Sequence, residues 1–174
     1  MKNLSYYILT LLLVLATGWK QPTQEPIYEN TAQRTFSDPQ LQDDLSIKLF
    51  GSSILSGTIV ISITSHDGRT IFSEEYPSSY LLGYSYTGDR NNKTQKEEHI
   101  KKRIDEFYKE ENFSAPAIPV DEEFDEDYSK LELWNDIKSD QTAVGFYYLI
   151  GEESGCRIAY SKKQRKTITY FCCC

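Results

Sequence analysis

The sequence predicts an α+β fold: a mainly antiparallel sheet of about five to seven strands packed against one amphipathic helix at about residues 95–111. Three observations carry that prediction. Strand-like runs fall in two clusters, one near residues 45–76 that alternates apolar and polar with period two, and one near 143–171. Between them lies one stretch with a 3.6-residue apolar period. Links between neighbouring strands are short or of hairpin type, which favours antiparallel pairing.

The first cluster opens with Leu45, Ile47 and Leu49, which alternate with polar residues up to Gly51. In residues 58–64, Ile59, Ile61 and Ile63 point one way while Val60, Ser62 and Thr64 point the other. His66-Asp67-Gly68-Arg69 follows, and Asp-Gly between two β-rich runs supplies the positive φ of a hairpin turn. Residues 70–76 return as the partner strand, and Pro77 stops it. Residues 80–86 read as a short strand or an aromatic loop.

The helix has Thr94 and Glu97 at capping-box spacing, in which hydroxyl and carboxylate each satisfy an orphan backbone donor. Ile100, Ile104, Phe107 and Tyr108 fall at i, i+4, i+7 and i+8, a single apolar stripe. Pro116 and Pro119 forbid continuation. Residues 128–137 fit a short helix through Leu131, Trp134 and Ile137, or a strand through Leu131 and Leu133. Residues 143–150 are apolar on both faces, as in a strand covered on both sides. Residues 156–160 and 166–171 then form a second hairpin across 161–165. A domain over 44–174 is long enough to bury a core without metal or disulfides.

Residues 19–43 are polar, hold Pro22, Pro26 and Pro39, and show no sustained apolar period. They read as a flexible tether. The 174 residues therefore accommodate one domain with a leader. The 13 tyrosines argue against a disordered chain. A net charge of −7, from 26 acidic against 19 basic side chains, speaks against nucleic-acid binding, which needs a cationic footprint. Two His and four Cys leave little material for a metal centre, and the sequence calls for no cofactor.

Met1 and Lys2 give a positive start, and residues 6–16 are almost wholly apolar. As a helix that run spans about 16 Å, against about 30 Å of bilayer hydrocarbon. Small residues follow at Ala16, Thr17 and Gly18. Charged start, apolar middle and small-residue end make residues 1–18 a secretory signal peptide. Its removal takes one lysine and no acid, moving the charge from −7 to −8. At its end, Leu15-Ala16-Thr17-Gly18 resembles the small-residue box of bacterial lipoprotein precursors, which precedes an acylated Cys. Trp19 stands at the acceptor position and has no thiol to carry lipid. The resemblance implies export to the periplasm, the outer membrane or cell surface, or the medium, with contact to membrane only through the signal or an anchor.

Pairing Ile158 with Ile168 across the second hairpin sets Cys156 opposite Tyr170, with Cys172 a diagonal step away. A disulfide from Cys156 to one of Cys172, Cys173 and Cys174 is the natural outcome in an oxidising compartment. Free or intermolecular thiols are the rival. A four-thiolate metal site lacks the C-x₂₋₄-C spacing.

The loop Asp121, Glu122, Glu123, Asp125, Glu126 and Asp127 is the strongest local charge feature. It reads as solvated surface or as a docking patch for a basic envelope or extracellular protein. Catalysis has thin support. His66 sits in a turn, His99 lies among helix charges, and no Gly-x-Ser-x-Gly elbow is present. Glu74 and Glu75, or the acidic loop, are the carboxylates that could frame a hydrolytic cleft. Tyr80, Tyr84, Tyr86, Tyr147, Tyr148, Tyr160 and Tyr170 read as core-edge residues or as the lining of a ligand surface.

The leading expectation is an exported, non-enzymatic binding or accessory protein of the cell envelope with an acidic surface, of inhibitor or immunity type. A small secreted carboxylate-based hydrolase and a purely structural envelope component are the alternatives. No catalytic residue is assigned.

Overall fold

The alternation in the first cluster folds as read. A computed structural model describes residues 25–83, 86–151 and 154–173. The first sheet is β1 (Tyr28–Arg34), β2 (Asp43–Phe50), β3 (Thr58–Thr64) and β4 (Thr70–Pro77), antiparallel in that order. Leu45, Ile47 and Leu49 lie opposite Ile63, Ile61 and Ile59, so six aliphatic side chains share one face and none is more than 1% exposed. Ser46 and Ser62 meet on the other face, their hydroxyls 2.8 Å apart. Gly68 takes φ +84° in the expected turn, and the Ser65 hydroxyl donates to Asp67 at 2.5 Å.

The expected tether over 19–43 is corrected from residue 28 on, and residues 19–24 lie outside the described residues. Tyr28 to Arg34 pairs with β2 from Leu49 to Asp43, so β1 belongs to the sheet. It carries little apolar alternation because its neighbours hold it through polar groups. The Asn30 side-chain amide donates to the Ile104 and Asp105 carbonyls at 2.9 and 3.0 Å, and the Tyr28 hydroxyl donates to Asp105. Residues 1–18, read as the signal, lie outside the described residues.

Helix α1 (Lys93–Asp105) is capped by Asn92, whose side chain accepts from the Gln95 amide at 3.1 Å. The expected capping box of Thr94 and Glu97 is not formed: Thr94 lies inside the helix and Glu97 faces Lys93 at 3.7 Å. The helix also stops short of residue 111. Phe107 and Tyr108 stay buried beyond its end, where their rings meet edge-on at 5.2 Å and both pack on Phe146.

The second sheet is β5 (Phe113–Ser114), β6 (Gly145–Ile150), β7 (Ser154–Ser161) and β8 (Lys166–Cys173), again antiparallel in order. Among the described residues, eight strands in two sheets replace the expected single sheet of five to seven. Each strand cluster forms its own meander with its own apolar face. The inner face of the first sheet, Ile100 and Ile104 of α1, and Phe146, Tyr148, Ile150 and Ile158 of the second sheet meet in one core. Residues 128–137, ambiguous in sequence, yield helix α2 (Leu131–Lys138), with Trp134 and Ile137 buried at helical spacing. They pack on Ala159, Ile168 and Tyr170, which form the far face of the second sheet. On β6, Phe146, Tyr148 and Ile150 face the shared core while Tyr147 on the other side is exposed, so the coverage on both faces expected of this strand is not complete. Among the described residues no helix is long and apolar enough to cross a membrane.

Candidate functional site

Where β4 ends, the chain cannot continue as a ladder strand, because Pro77 has no N–H to donate. Ser78 instead donates its amide to the Gly57 carbonyl at 2.8 Å, and residues Ser78–Leu81 form a 3₁₀ turn. Gly83 follows at φ +28°, and a side chain there would collide with the carbonyl of Gly151. The Gly151 amide in turn donates to the Tyr80 carbonyl at 3.1 Å. This stitch brings the end of β4, the 3₁₀ turn, the start of α1 and the end of β6 around one cavity of about 760 Å³. That size is typical of small-molecule sites.

Tyr76, Tyr80 and Tyr148 contribute rings to its wall, and Leu82 and Ile150 add aliphatic surface. The rings of Tyr76 and Tyr80 are 6.3 Å apart and tilted by 37°. Beneath them, Glu74 accepts from the Tyr148 hydroxyl at 2.7 Å and also from the Tyr76 hydroxyl. Burial, reinforced by the hydrogen bond to Glu74, pushes Tyr76 up to about 12. The same causes hold Tyr148 well above an ordinary phenol. Both hydroxyls therefore stay protonated and committed to one carboxylate, and what they leave to the cavity is ring surface.

Arg90 and Lys96 line the cavity from the approach to α1 and its first turn. That turn itself carries no acidic side chain; the Asp89 carboxylate lies just before it and accepts from the Asn91 amide at 2.8 Å. Among the described residues neither Arg90 nor Lys96 forms an ion pair with an acidic side chain. Tyr86 also lines the cavity; it meets His99 edge-on at 5.2 Å and donates its hydroxyl to the Asp89 carbonyl at 2.8 Å.

Cys156 forms the far wall and is disulfide-bonded to Cys172, with Cα atoms 4.2 Å apart. The expected register is corrected here. A bulge between Arg157 and Ile158 pairs Ile158 with Thr169 instead of Ile168, and so sets Cys156 directly opposite Cys172. Cys173 keeps a free thiol that donates to the Gly155 carbonyl at 3.4 Å. Cys174 lies outside the described residues.

The other residues singled out from the sequence lie elsewhere. Glu122 turns inward to pair with Arg157 at 2.7 Å, while Asp121, Glu123, Asp125, Glu126 and Asp127 are exposed. Phe124 pins the loop by meeting the Trp134 ring edge-on at 6.0 Å. Among the described residues no cluster of His, Cys, Asp or Glu is arranged to hold a metal ion. Glu74 is half-buried and Glu75 exposed on β4, as alternation requires, so the two do not face each other across a cleft. His66 is exposed beside Asp43, with its Nδ1 3.8 Å from the carboxylate. Of the tyrosines proposed as a ligand surface, Tyr80, Tyr86 and Tyr148 reach the cavity. Tyr170 is buried in the second core, where its hydroxyl donates to the Ala117 carbonyl at 2.8 Å. Tyr147 is partly exposed away from the cavity and Tyr160 is half-buried. Tyr84 lies outside the described residues.

No known family, curated protein or solved structure matches this chain.

Sequence reasoning missed Arg90 and Lys96 as members of the cavity. Both sit in a polar stretch that reads as loop and helix surface, and only the fold turns them toward the tyrosines.

Proposed function

We propose that this chain is an exported, non-enzymatic binding protein of the cell envelope that holds a small ligand between its two sheets. The observation that carries the reading is the cavity of about 760 Å³, walled by tyrosine rings and aliphatic side chains and edged by two cations. Sites with mostly apolar walls and a few placed polar groups are the common form of ligand pockets. Export rests on the leader over residues 1–18, and the Cys156–Cys172 disulfide is compatible with an oxidising compartment.

Native mass spectrometry of protein isolated from an envelope fraction tests both parts. The expected result is a polypeptide lacking its first 16 or 18 residues, carrying a small-molecule adduct. A Ser79→Trp variant, which fills the cavity from its wall, loses the adduct. An uncleaved polypeptide overturns export. Absence of an adduct from the wild type, or its retention in Ser79→Trp, overturns the ligand site.

A second reading has a basic envelope protein docking on the acidic loop. What favours it is the exposure of Asp121, Glu123, Asp125, Glu126 and Asp127 on a segment held in place by Glu122 and Phe124. Capture of a basic partner that elutes with salt, and is lost when those five acids become amides, is its expected signature.

A further inference from the structure

We infer that the cavity takes an organic anion with a ring-bearing apolar body, the body lying on the tyrosines and the charge held at the mouth by Arg90 and Lys96. The inference rests on the ligand-site reading above and fixes the chemical class and the direction of entry. Three observations carry it.

The interior disfavours a negative charge. The Tyr76 and Tyr148 hydroxyls, which could have stabilised an anion, both donate to Glu74. An anion at the floor would meet a carboxylate and two phenols with no proton to offer, and desolvation would add its cost. The same commitment turns the rings into apolar wall, so the floor suits a flat hydrocarbon body, with ring edges and faces available for tilted stacking.

The mouth favours a negative charge. Arg90 and Lys96 both line the cavity and form no ion pair with an acidic side chain among the described residues. In a chain of net charge −7, two such cations at the rim of one apolar cavity are a local reversal of the overall sign. The first turn of α1, itself without acids though preceded by Asp89, sets the positive end of its dipole beside Lys96. A guanidinium and an ammonium lining one cavity match the oxygens of a carboxylate, sulfonate or phosphate.

The volume is sufficient. A cavity of about 760 Å³ can enclose a fused-ring body and leave its charged end at the rim.

The test uses two dyes that share a body and differ in charge: 1-anilinonaphthalene-8-sulfonate and the uncharged N-phenyl-1-naphthylamine. Titration into the disulfide-intact protein should give saturable, one-to-one fluorescence enhancement with both. The sulfonate should bind about tenfold tighter, the order of two partly exposed charge contacts. In the Arg90→Gln/Lys96→Gln variant the tenfold preference should vanish while affinity for the uncharged dye is retained. Ser79→Trp should lose both dyes, with thermal unfolding confirming that each variant is folded. If the uncharged dye binds as tightly as the sulfonate, or the double variant keeps the preference, the anion assignment is wrong while the ligand site stands. If neither dye saturates at one-to-one, or Ser79→Trp binds both unchanged, the site itself is wrong and the assignment goes with it.

Discussion

Tyr148 on β6 donates its hydroxyl proton to Glu74 on β4 at 2.7 Å, so a single carboxylate ties the two sheets together through the core. Glu74 sits opposite Ile61, between Phe72 and Tyr76 on the core-facing side of β4, and is tolerated there because two phenols satisfy it. Tyr148→Phe keeps the ring and removes one donor, leaving the carboxylate partly unsatisfied. A loss of about 1–3 kcal/mol is expected by urea denaturation. Tyr147→Phe, one position along and 39% exposed, should change stability by less than about 0.5 kcal/mol. Equal effects of the two variants would show that the cross-sheet bond contributes nothing.

Alkaline pH should unfold the protein through its buried phenols. Burial, first among the causes, raises Tyr76 to about 12 and Tyr170 to about 12, and lifts Tyr108 and Tyr148 well above an ordinary phenol. In the unfolded chain these groups lose their protons near pH 10. Below that pH both states hold the proton and the contribution is fully present. Above it the unfolded state binds fewer protons than the native one, so stability falls as pH rises. Tyrosinate absorbance should therefore titrate in two stages, exposed rings first and the buried four together with loss of near-ultraviolet dichroism. A single smooth titration with the fold intact would contradict this.

The Cys156–Cys172 bond closes a loop of sequence separation 16 at the edge of the second sheet. A cross-link of that length removes about 3 kcal/mol of freedom from the unfolded chain. Replacing both cysteines by serine should lower stability by that order, and reductant should lower the wild type equally. Cys173→Ser should leave the denaturation midpoint in place, because its thiol stands outside the bond. A wild type indifferent to reductant would remove the disulfide from the account.

How much of this was legible depended on whether a residue's neighbours lie close along the chain. The β2–β3–β4 meander could be read because Leu45, Ile59 and their fellows alternate and Asp67-Gly68 marks a turn. So could the stripe of Ile100, Ile104, Phe107 and Tyr108, although the helix ends at Asp105. Strand β1 was invisible because its inward positions include Asn30, whose partners are carbonyls more than seventy residues away. Asp43 was equally hidden. It is wholly buried and accepts from the Ser37 amide and hydroxyl and from the His66 amide, a set that only the folded loops assemble. The pairing of Cys156 with Cys172 was readable as a neighbourhood, but the bulge that aligns them was not. The cavity mixes the two cases: its tyrosines stood out as aromatics, whereas Arg90 and Lys96 gained meaning only from the turn closed by Gly83 and Gly151.

The acidic loop owes its position to Arg157, and that dependence can be measured. The guanidinium lies 4.2 Å from the Phe171 ring centre and 5.5 Å from that of Tyr170, and it reaches Glu122 at 2.7 Å. Lys138 donates to the Glu122 carbonyl from the other side at 2.5 Å. Arg157→Lys preserves the charge but loses the planar contact with the rings, so the two properties separate. A cost of about 1–2 kcal/mol is expected, since the pair is half-buried and stacked. Hydrogen exchange should accelerate across residues 119–128 while the amides of β7 and β8 stay protected. Because the guanidinium is shielded by the rings, the difference should persist in 1 M salt, where the Debye length falls to about 3 Å and exposed carboxylates are screened. If the loop amides exchange at wild-type rates in Arg157→Lys, the loop is held by Phe124 and Lys138 instead.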